Sequence, residues 1–337
     1  MIGNVAIKNY KSVVDVDMQL GRFNLLIGAN GCGKSNILEG IAMGAAASSD
    51  KLDYEYFANR GIRIVTPTFM LPAFDGVDPK GISIAFTNDH VISLDICFDK
   101  DAKPAKWRVA KQTGEPDIPG LGQFLIYSLE ESKLRKADDS NRTYPVGLHG
   151  EGLFAYLKEL SQRPDAMELF SEIKQNLKVL DWFDDMEVPS GQLSMEFNLR
   201  LKDSYLADTL NTFDQRSTNE GFLYLLFYLT LVVSDETPLF FAIENIDTAF
   251  NPKLCREVVR RLIQLARKHD KQIIATTHNA AVLDGMDLHQ DDERLYVVRR
   301  SIDGYTKTHR VTLKSDMTMP LSEAWVKGYI GGLPDNF

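Results

Sequence analysis

Hydrophobic and polar positions change period several times along the chain, and each change predicts a different kind of element. Val5 to Tyr10 is strand-like and Phe23 to Ile27 is a short apolar run of strand length, so Asn4 to Gly28 reads strand, turn, strand. Asn36 to Ala47 is rich in Leu, Ile and Ala and reads as a helix. Alternation then takes over between residues 82 and 110. Ile82-Ser-Ile-Ala-Phe, Val91-Ile-Ser-Leu-Asp-Ile and Lys106-Trp-Arg-Val predict an antiparallel sheet layer, closed by a Pro/Gly-rich turn from Glu115 to Gly122. From Glu151 to Phe183 the period lengthens: Leu153, Leu157 and Leu160, then Leu169, Ile173, Leu177 and Leu180, fall at helical spacing. Strand character returns at Leu193 to Leu201. The longest apolar run, Gly221 to Val233, is too short to span a bilayer and predicts a buried helix.

From Phe222 onward the order is helix, strand (Leu239 to Ile243), helix (Pro252 to His269), strand (Gln272 to Thr276), helix, strand (Leu295 to Arg299). Such alternation predicts a parallel α/β sheet. The chain therefore reads as one discontinuous α/β core built from both ends: residues 1–127, a helical insertion at 128–216, and 217–337. The insertion is too short for a long coiled-coil arm and lacks sustained heptads. With 337 residues, 44% hydrophobic and 25% charged, the composition is that of a soluble globular protein. No charged-then-apolar leader precedes the first strand, and Cys32, Cys97 and Cys255 are odd in number and far apart. Both features lead us to expect a reducing, cytoplasmic setting with no membrane partner.

Candidate chemistry concentrates after the strand Phe23 to Ile27. Residues 28–35 read Gly-Ala-Asn-Gly-Cys-Gly-Lys-Ser, a complete phosphate-binding loop between a strand and a helix. Glycines let the backbone wrap a phosphate with its N–H groups inward, and the following helix aims its positive end at the same anion. Asn30, Gly31, Gly33 and Asn36 belong to this cradle, Lys34 would reach the outer phosphates, and the Ser35 hydroxyl would ligate Mg²⁺. Cys32, inside the loop, reads most simply as a small side chain in a tight turn.

A second set of candidates ends two later strands. Leu239-Phe-Phe-Ala-Ile-Glu finishes in Glu244, an acid placed to hold Mg²⁺ beside Ser35. Ile273-Ile-Ala-Thr-Thr leads to His278, placed to contact a γ-phosphate, with Asn279 available to cap the next helix. A net charge of −9 argues against a general nucleic-acid coat, so any DNA or RNA contact must be a local patch. Candidates are Lys133, Arg135, Lys136 and Arg142, and Arg256, Arg260, Arg261, Arg267 and Lys268 on one helix; a solvated helix face explains the latter equally simply. His289, Asp291, Asp292 and Glu293 read as an exposed loop rather than a metal site.

The sequence resembles the ABC-type ATPase heads of the SMC/RecF/OLD superfamily, nearest to stand-alone prokaryotic OLD-like AAA-type ATPases. The resemblance covers almost the whole chain. It runs through Ile7-Lys-Asn-Tyr-Lys-Ser, Gly28 to Ser35, Ile126-Tyr-Ser-Leu-Glu-Glu-Ser-Lys-Leu-Arg and Gly150-Glu-Gly-Leu-Phe-Ala-Tyr-Leu. It continues through Ile243-Glu-Asn-Ile-Asp-Thr-Ala-Phe-Asn-Pro, Ala275-Thr-Thr-His and Gly328-Tyr-Ile-Gly-Gly-Leu-Pro. It implies a P-loop ATPase head using ATP and Mg²⁺. It also implies face-to-face dimers, with ATP sandwiched between one subunit's phosphate loop and the other's signature helix. The matching signature stretch is Asn219-Glu220-Gly221, with Asn219 where the family has Ser. Where the family carries a water-activating Glu stands Asn245, and an amide cannot accept a proton near neutral pH. Asp247 matches the D-loop, and no convincing Q-loop glutamine appears between Tyr127 and Glu130.

Two functions follow from that resemblance. One is an ATPase whose turnover drives opening and closing on a client. The other is a nucleotide-gated homodimer or higher oligomer holding a separately encoded effector, a nuclease or toxin, in prokaryotic anti-phage defence. Slow hydrolysis, expected from Asn245, favours the second. A RecF- or SMC-like role in DNA repair or chromosome maintenance is the alternative. No Asn-Lys-x-Asp motif for guanine and no acidic cluster spaced for two metals is present.

Overall fold

A computed structural model describes residues 1–115, 118–136, 145–188, 199–207, 212–313 and 319–333. Arg142, the centre of the Glu115–Gly122 turn and most of the strand expected at Leu193–Leu201 lie outside these residues. In chain order the elements are β1 (Asn4–Tyr10), β2 (Val13–Gln19), β3 (Phe23–Ile27), α1 (Lys34–Ser48), α2 (Tyr54–Ala58) and α3 (Pro67–Met70). Next come β4 (Ile82–Thr87), β5 (Val91–Asp99), β6 (Lys106–Thr113), β7 (Ile126–Tyr127), α4 (Glu131–Leu134), α5 (Leu153–Leu160) and α6 (Ala166–Leu177). Then follow β8 (Phe183–Glu187), β9 (Arg200–Asp203), β10 (Thr212–Asp214), α7 (Glu220–Val233), β11 (Phe240–Ile243) and α8 (Pro252–Lys268). The last are β12 (Gln272–Thr276), β13 (Glu293–Arg300), β14 (Thr306–Val311) and α9 (Leu321–Val326).

The chain divides into two compact units, Met1–Ile126 with Pro238–Ile246 and Gln272–Phe337, and Tyr127–Thr237 with Asp247–Lys271. Residues 217–237 and 247–271 thus group with the insertion, whereas the sequence reading placed them with the core. In the first unit an antiparallel sheet of order β2-β1-β4-β5-β6 confirms the alternating layer. A second sheet of order β14-β13-β3-β12-β11-β7 contains the parallel strands β13, β3, β12 and β11, with β14 antiparallel at one edge. β3, β11 and β12 are buried along their whole length, as parallel strands covered on both faces are.

Helix α1 is buried nearly all round, and its side chains join those of both sheets in one core that includes Ile7, Ile41, Met43, Phe86, Ala242 and Ile274. The close approach needs a missing side chain: a Cβ on Gly44 would lie 2.6 Å from the Phe86 ring. Two buried amides at this core are paired, whereas the Trp107 indole N–H in it has no hydrogen-bond partner among the described residues. Asn24 exchanges hydrogen bonds with Gly21, and Gln272 with Ile2, so each buried amide is satisfied.

The second unit corrects one expectation. It is not purely helical: besides α5, α6, α7 and α8 it carries the three-stranded sheet β10-β9-β8. Leu153, Leu157, Leu160, Ile173 and Leu177 are buried as their spacing predicts, and α7 is the buried apolar helix expected from Gly221 to Val233. A second correction concerns the segment after β12, where a six-residue 3-10 turn, Ala280–Gly285, replaces the expected helix. Among the described residues, no helix is long and apolar enough to cross a membrane.

Candidate functional site

Strand register sets the site. β3 pairs in parallel with β12 (Leu26 opposite Thr276), and β12 with β11 (Ala275 opposite Ile243). The carboxyl ends of three strands therefore finish level, and the segments leaving them, Gly28–Ser35, Glu244–Asn245 and Thr276–His278, share one edge of the first unit. Ligands of open α/β sheets collect at such an edge. A cavity of about 390 Å³ opens there. Its walls are Asn30 to Asn36, Glu244, Asn245, Thr276 and His278, with Arg63 and Arg300 added from elsewhere in the unit.

The phosphate loop has the backbone its glycines allow. Gly31 and Gly33 take φ values of 73° and 110°, in the left-handed region that side chains resist. A Cβ on Gly33 would fall 2.0 Å from Thr306 Oγ1, whereas one on Gly31 would meet nothing within 4 Å. Gly33 is thus fixed by packing from behind, and Gly31 leaves the concave side open. The Thr306 hydroxyl donates to the Cys32 carbonyl at 3.0 Å and Arg300 Nε to the Gly31 carbonyl at 3.0 Å, holding the loop from outside. Cys32 is buried, as a small residue in a tight turn, and all three cysteines are free.

Lys34 is 7% exposed, and its ammonium donates to the carbonyls of Gly28 (2.9 Å) and Ala29 (3.2 Å). Burial lowers its pKa from the ordinary lysine value. Its hydrogen-bond partners among the described residues are the loop's own carbonyls and the Cys32 thiol, none of them a carboxylate. The Glu244 charge favours the protonated ammonium, and a phosphate chain would add to it. Ser35 and Glu244 offer hard oxygen donors on the same cavity wall, the chemistry that Mg²⁺ selects. Among the described residues no group of three or more His, Cys, Asp or Glu could hold a metal alone. These donors therefore fit a metal shared with phosphate oxygens. That result also covers the 289–293 segment, where Glu293 is buried at the start of β13 and accepts from the Asp287 N–H.

Asn245 is exposed in the cavity wall with φ 51°, a left-handed conformation that Asn tolerates better than most residues. Its N–H donates to Thr276 Oγ1 at 3.0 Å, tying the end of β11 to the end of β12. His278 is exposed on the same wall, and Asn279 caps the following turn through Ala281 N–H. Arg63 and Arg300 carried no motif and were missed in the sequence, and Thr276 lay inside Ala275-Thr-Thr-His without being singled out. A second cavity, about 370 Å³, adjoins the first and shares Asn36, Arg63 and Arg300 with it. Val65, Phe69, Leu71 and Phe74 give it an apolar side.

Asn219, Glu220, Gly221 and Asp247 belong to the second unit and do not line the phosphate cavity. Asn219 Oδ1 caps α7 by accepting from Phe222 N–H at 2.9 Å. With Gly221 it lines a larger cavity of about 830 Å³, beside Trp182, Lys178, Lys253 and Arg256. Of the basic candidates, Arg135 turns inward to the carbonyls of Gln215, Arg216 and Thr218. Arg261 pairs with Glu257, and Lys268 with Glu172. Arg260 also pairs with Glu257, and Arg256, Arg260 and Arg267 are exposed on α8.

The fold is that of the SMC head domains, with a phosphate-binding loop at the carboxyl end of β3. A family model described as "AAA domain, putative AbiEii toxin, Type IV TA system" matches residues 23–284, and the chain belongs to that family. Among solved structures it is similar to an SmcHead bound to the C-winged helix domain of ScpA, with 16% identity, a TM-score of 0.61, and 94% of this chain and 99% of that one covered. The SMC head domain from Thermotoga maritima matches at 12% identity and TM-score 0.53, covering 93% and 99%. An Smc head domain with an extended coiled coil, bound to the C-terminal domain of ScpA derived from Pyrococcus furiosus, matches at 13% and 0.61, covering 93% and 96%. No curated protein sequence matches significantly.

Proposed function

We propose that the protein binds Mg²⁺–ATP in the phosphate cavity and, as an ATP-sandwich homodimer or higher oligomer, controls a separately encoded effector in prokaryotic anti-phage defence. The observation that carries the nucleotide part is the gathering of Gly31, Lys34, Ser35, Glu244 and His278 around one cavity, where the buried Lys34 ammonium donates to the loop carbonyls of Gly28 and Ala29. In this reading Lys34 and the loop N–H groups hold the phosphates, and Ser35 and Glu244 the metal. His278 meets the terminal phosphate, and the apolar cavity at Phe69 and Phe74 takes the base. A bound Mg²⁺ would stabilise charge on the phosphates. Asn219, Glu220 and Gly221 serve a second copy's nucleotide, and Asp247 adjoins that seam.

Hydrolysis is slow in this scheme because Asn245 orients water without taking its proton. The defence setting is supported by the family description, which names a toxin and a type IV toxin–antitoxin system. A second reading, direct action on DNA in repair or chromosome maintenance, is favoured by the exposed basic face of α8 and by likeness of fold to SMC heads. Copurification with the products of neighbouring genes, with and without ATP and Mg²⁺, separates the two. ATP-dependent capture of a nuclease or toxin supports the first, and ATP-dependent retention of DNA alone refutes it. Lys34→Ala should abolish ATP binding, and retained affinity in that variant would overturn the site itself.

A further inference from the structure

A buried carboxylate lies one turn beyond Ser35 on α1. Glu39 is 2% exposed and anchors three groups: the Tyr10 hydroxyl donates to it at 3.2 Å, and the Lys11 ammonium and Arg63 Nε bind it directly. Lys11 also donates to the Arg63 carbonyl at 3.1 Å, so the two cations are tied to each other as well as to the acid. Burying a carboxylate is costly unless paired, and here two cations and a phenol meet that cost.

From Arg63 a chain of hydrogen bonds runs in one direction. Arg63 Nη2 donates to Asn36 Oδ1 (3.1 Å) and Asn36 Nδ2 to Ser12 Oγ (2.6 Å). Ser12 Oγ meets Thr306 Oγ1 (2.7 Å), and Thr306 donates to the carbonyl of Cys32 (3.0 Å). The donors run consistently from Arg63, which also donates to the buried acid, to the backbone of the phosphate loop. Arg63 is also among the residues shared by both cavities, yet its side chain is 64% exposed. An exposed guanidinium keeps one position only if something holds it, and Glu39 and Asn36 do so.

We propose that Glu39 is a positioning residue for nucleotide binding: with Lys11 tied in on the wall of the second cavity, it fixes Arg63 where the two cavities meet, facing the anionic part of the nucleotide. This rests on the nucleotide reading given above. A purely structural Glu39 would stabilise the fold and leave affinity to other residues, and the two roles separate experimentally.

Binding of a fluorescent ATP analogue with Mg²⁺ is measured on the full chain as wild type, Glu39→Gln, Arg63→Ala and the double variant, with thermal denaturation alongside. Each single change should weaken binding roughly ten-fold, the scale of one charge-assisted hydrogen bond. The double variant should bind no more weakly than the weaker single one, because both changes remove the same contact. Binding by Glu39→Gln within about two-fold of wild type, or losses that multiply in the double variant, overturns the proposal. If Glu39→Gln does not fold, Glu39→Asp carries the same test, since it keeps the charge but shortens the reach to Arg63. Lys34→Ala is the control. Its retained affinity would sink the nucleotide reading, whereas its loss of binding with an unaffected Glu39 variant sinks the positioning role alone.

Discussion

Replacing Asn245 with Glu asks whether the missing base limits turnover. A correctly placed carboxylate is worth roughly 10² to 10⁴ in rate. The structure sets the opposing term. Residue 245 sits at φ 51°, and a Glu there gives up the tolerance that Asn has for left-handed backbone, about 1 kcal/mol or roughly a factor of five. The N–H bond from residue 245 to Thr276 Oγ1 is a main-chain donor and survives the change. The cavity is lined by Glu244 as well, so a second acid nearby raises the pKa of the new one, which suits a base working near neutral pH. The net expectation is a gain of at least about twenty-fold in single-turnover Mg²⁺–ATP hydrolysis, with protein in excess over nucleotide. Binding of a non-hydrolysable analogue, measured in parallel, should change by less than about five-fold. An unchanged hydrolysis rate with intact analogue binding would refute the argument that Asn245 makes this site slow.

Two further outcomes follow from single side chains. Lys271 is fully buried, donating to the carbonyl and hydroxyl of Thr237 at 2.8 Å, and burial pulls its pKa from 10.5 to about 8. The unfolded chain binds this proton more tightly, so stability rises with pH between about 8 and 10.5. The gain is about 2 kcal/mol from pH 7 to pH 9.5, read as the difference between wild type and Lys271→Met in urea unfolding. A pH-independent difference would exclude the buried ammonium. Gly33→Ala places a methyl 2.0 Å from Thr306 Oγ1 at a positive φ, so it should abolish ATP binding and lower thermal stability by several degrees. Calorimetric titration showing wild-type affinity would contradict the loop geometry.

Much of the fold was legible because its signals are local. The phosphate loop, the alternating strands Ile82–Thr87 and Val91–Asp99, and the apolar helix Glu220–Val233 each announce themselves within a short window. What escaped depends on distant partners. Arg63 and Arg300 reach the cavity from a loop and a strand end that carry no motif. Glu39 carries no motif, and only the fold brings Tyr10, Lys11 and Arg63 to it. Of the sheet Phe183–Glu187, Arg200–Asp203 and Thr212–Asp214, the sequence reading touched only the start of the middle strand; the others were missed because they are short and carry acidic residues. The segment after His278 keeps helical composition but closes as a 3-10 turn capped by Asn279.

Strand β3 bears on how the molecule is made. Its five buried residues leave the ribosome long before both neighbours in its sheet, β12 and β13, which begin only at Gln272 and Glu293. At ordinary elongation rates of roughly 5–20 residues per second, an apolar strand waits some tens of seconds for its first sheet partner. Nascent chains of this protein should accordingly engage general chaperones, and translation arrested before Gln272 should yield a protease-sensitive product with no nucleotide affinity.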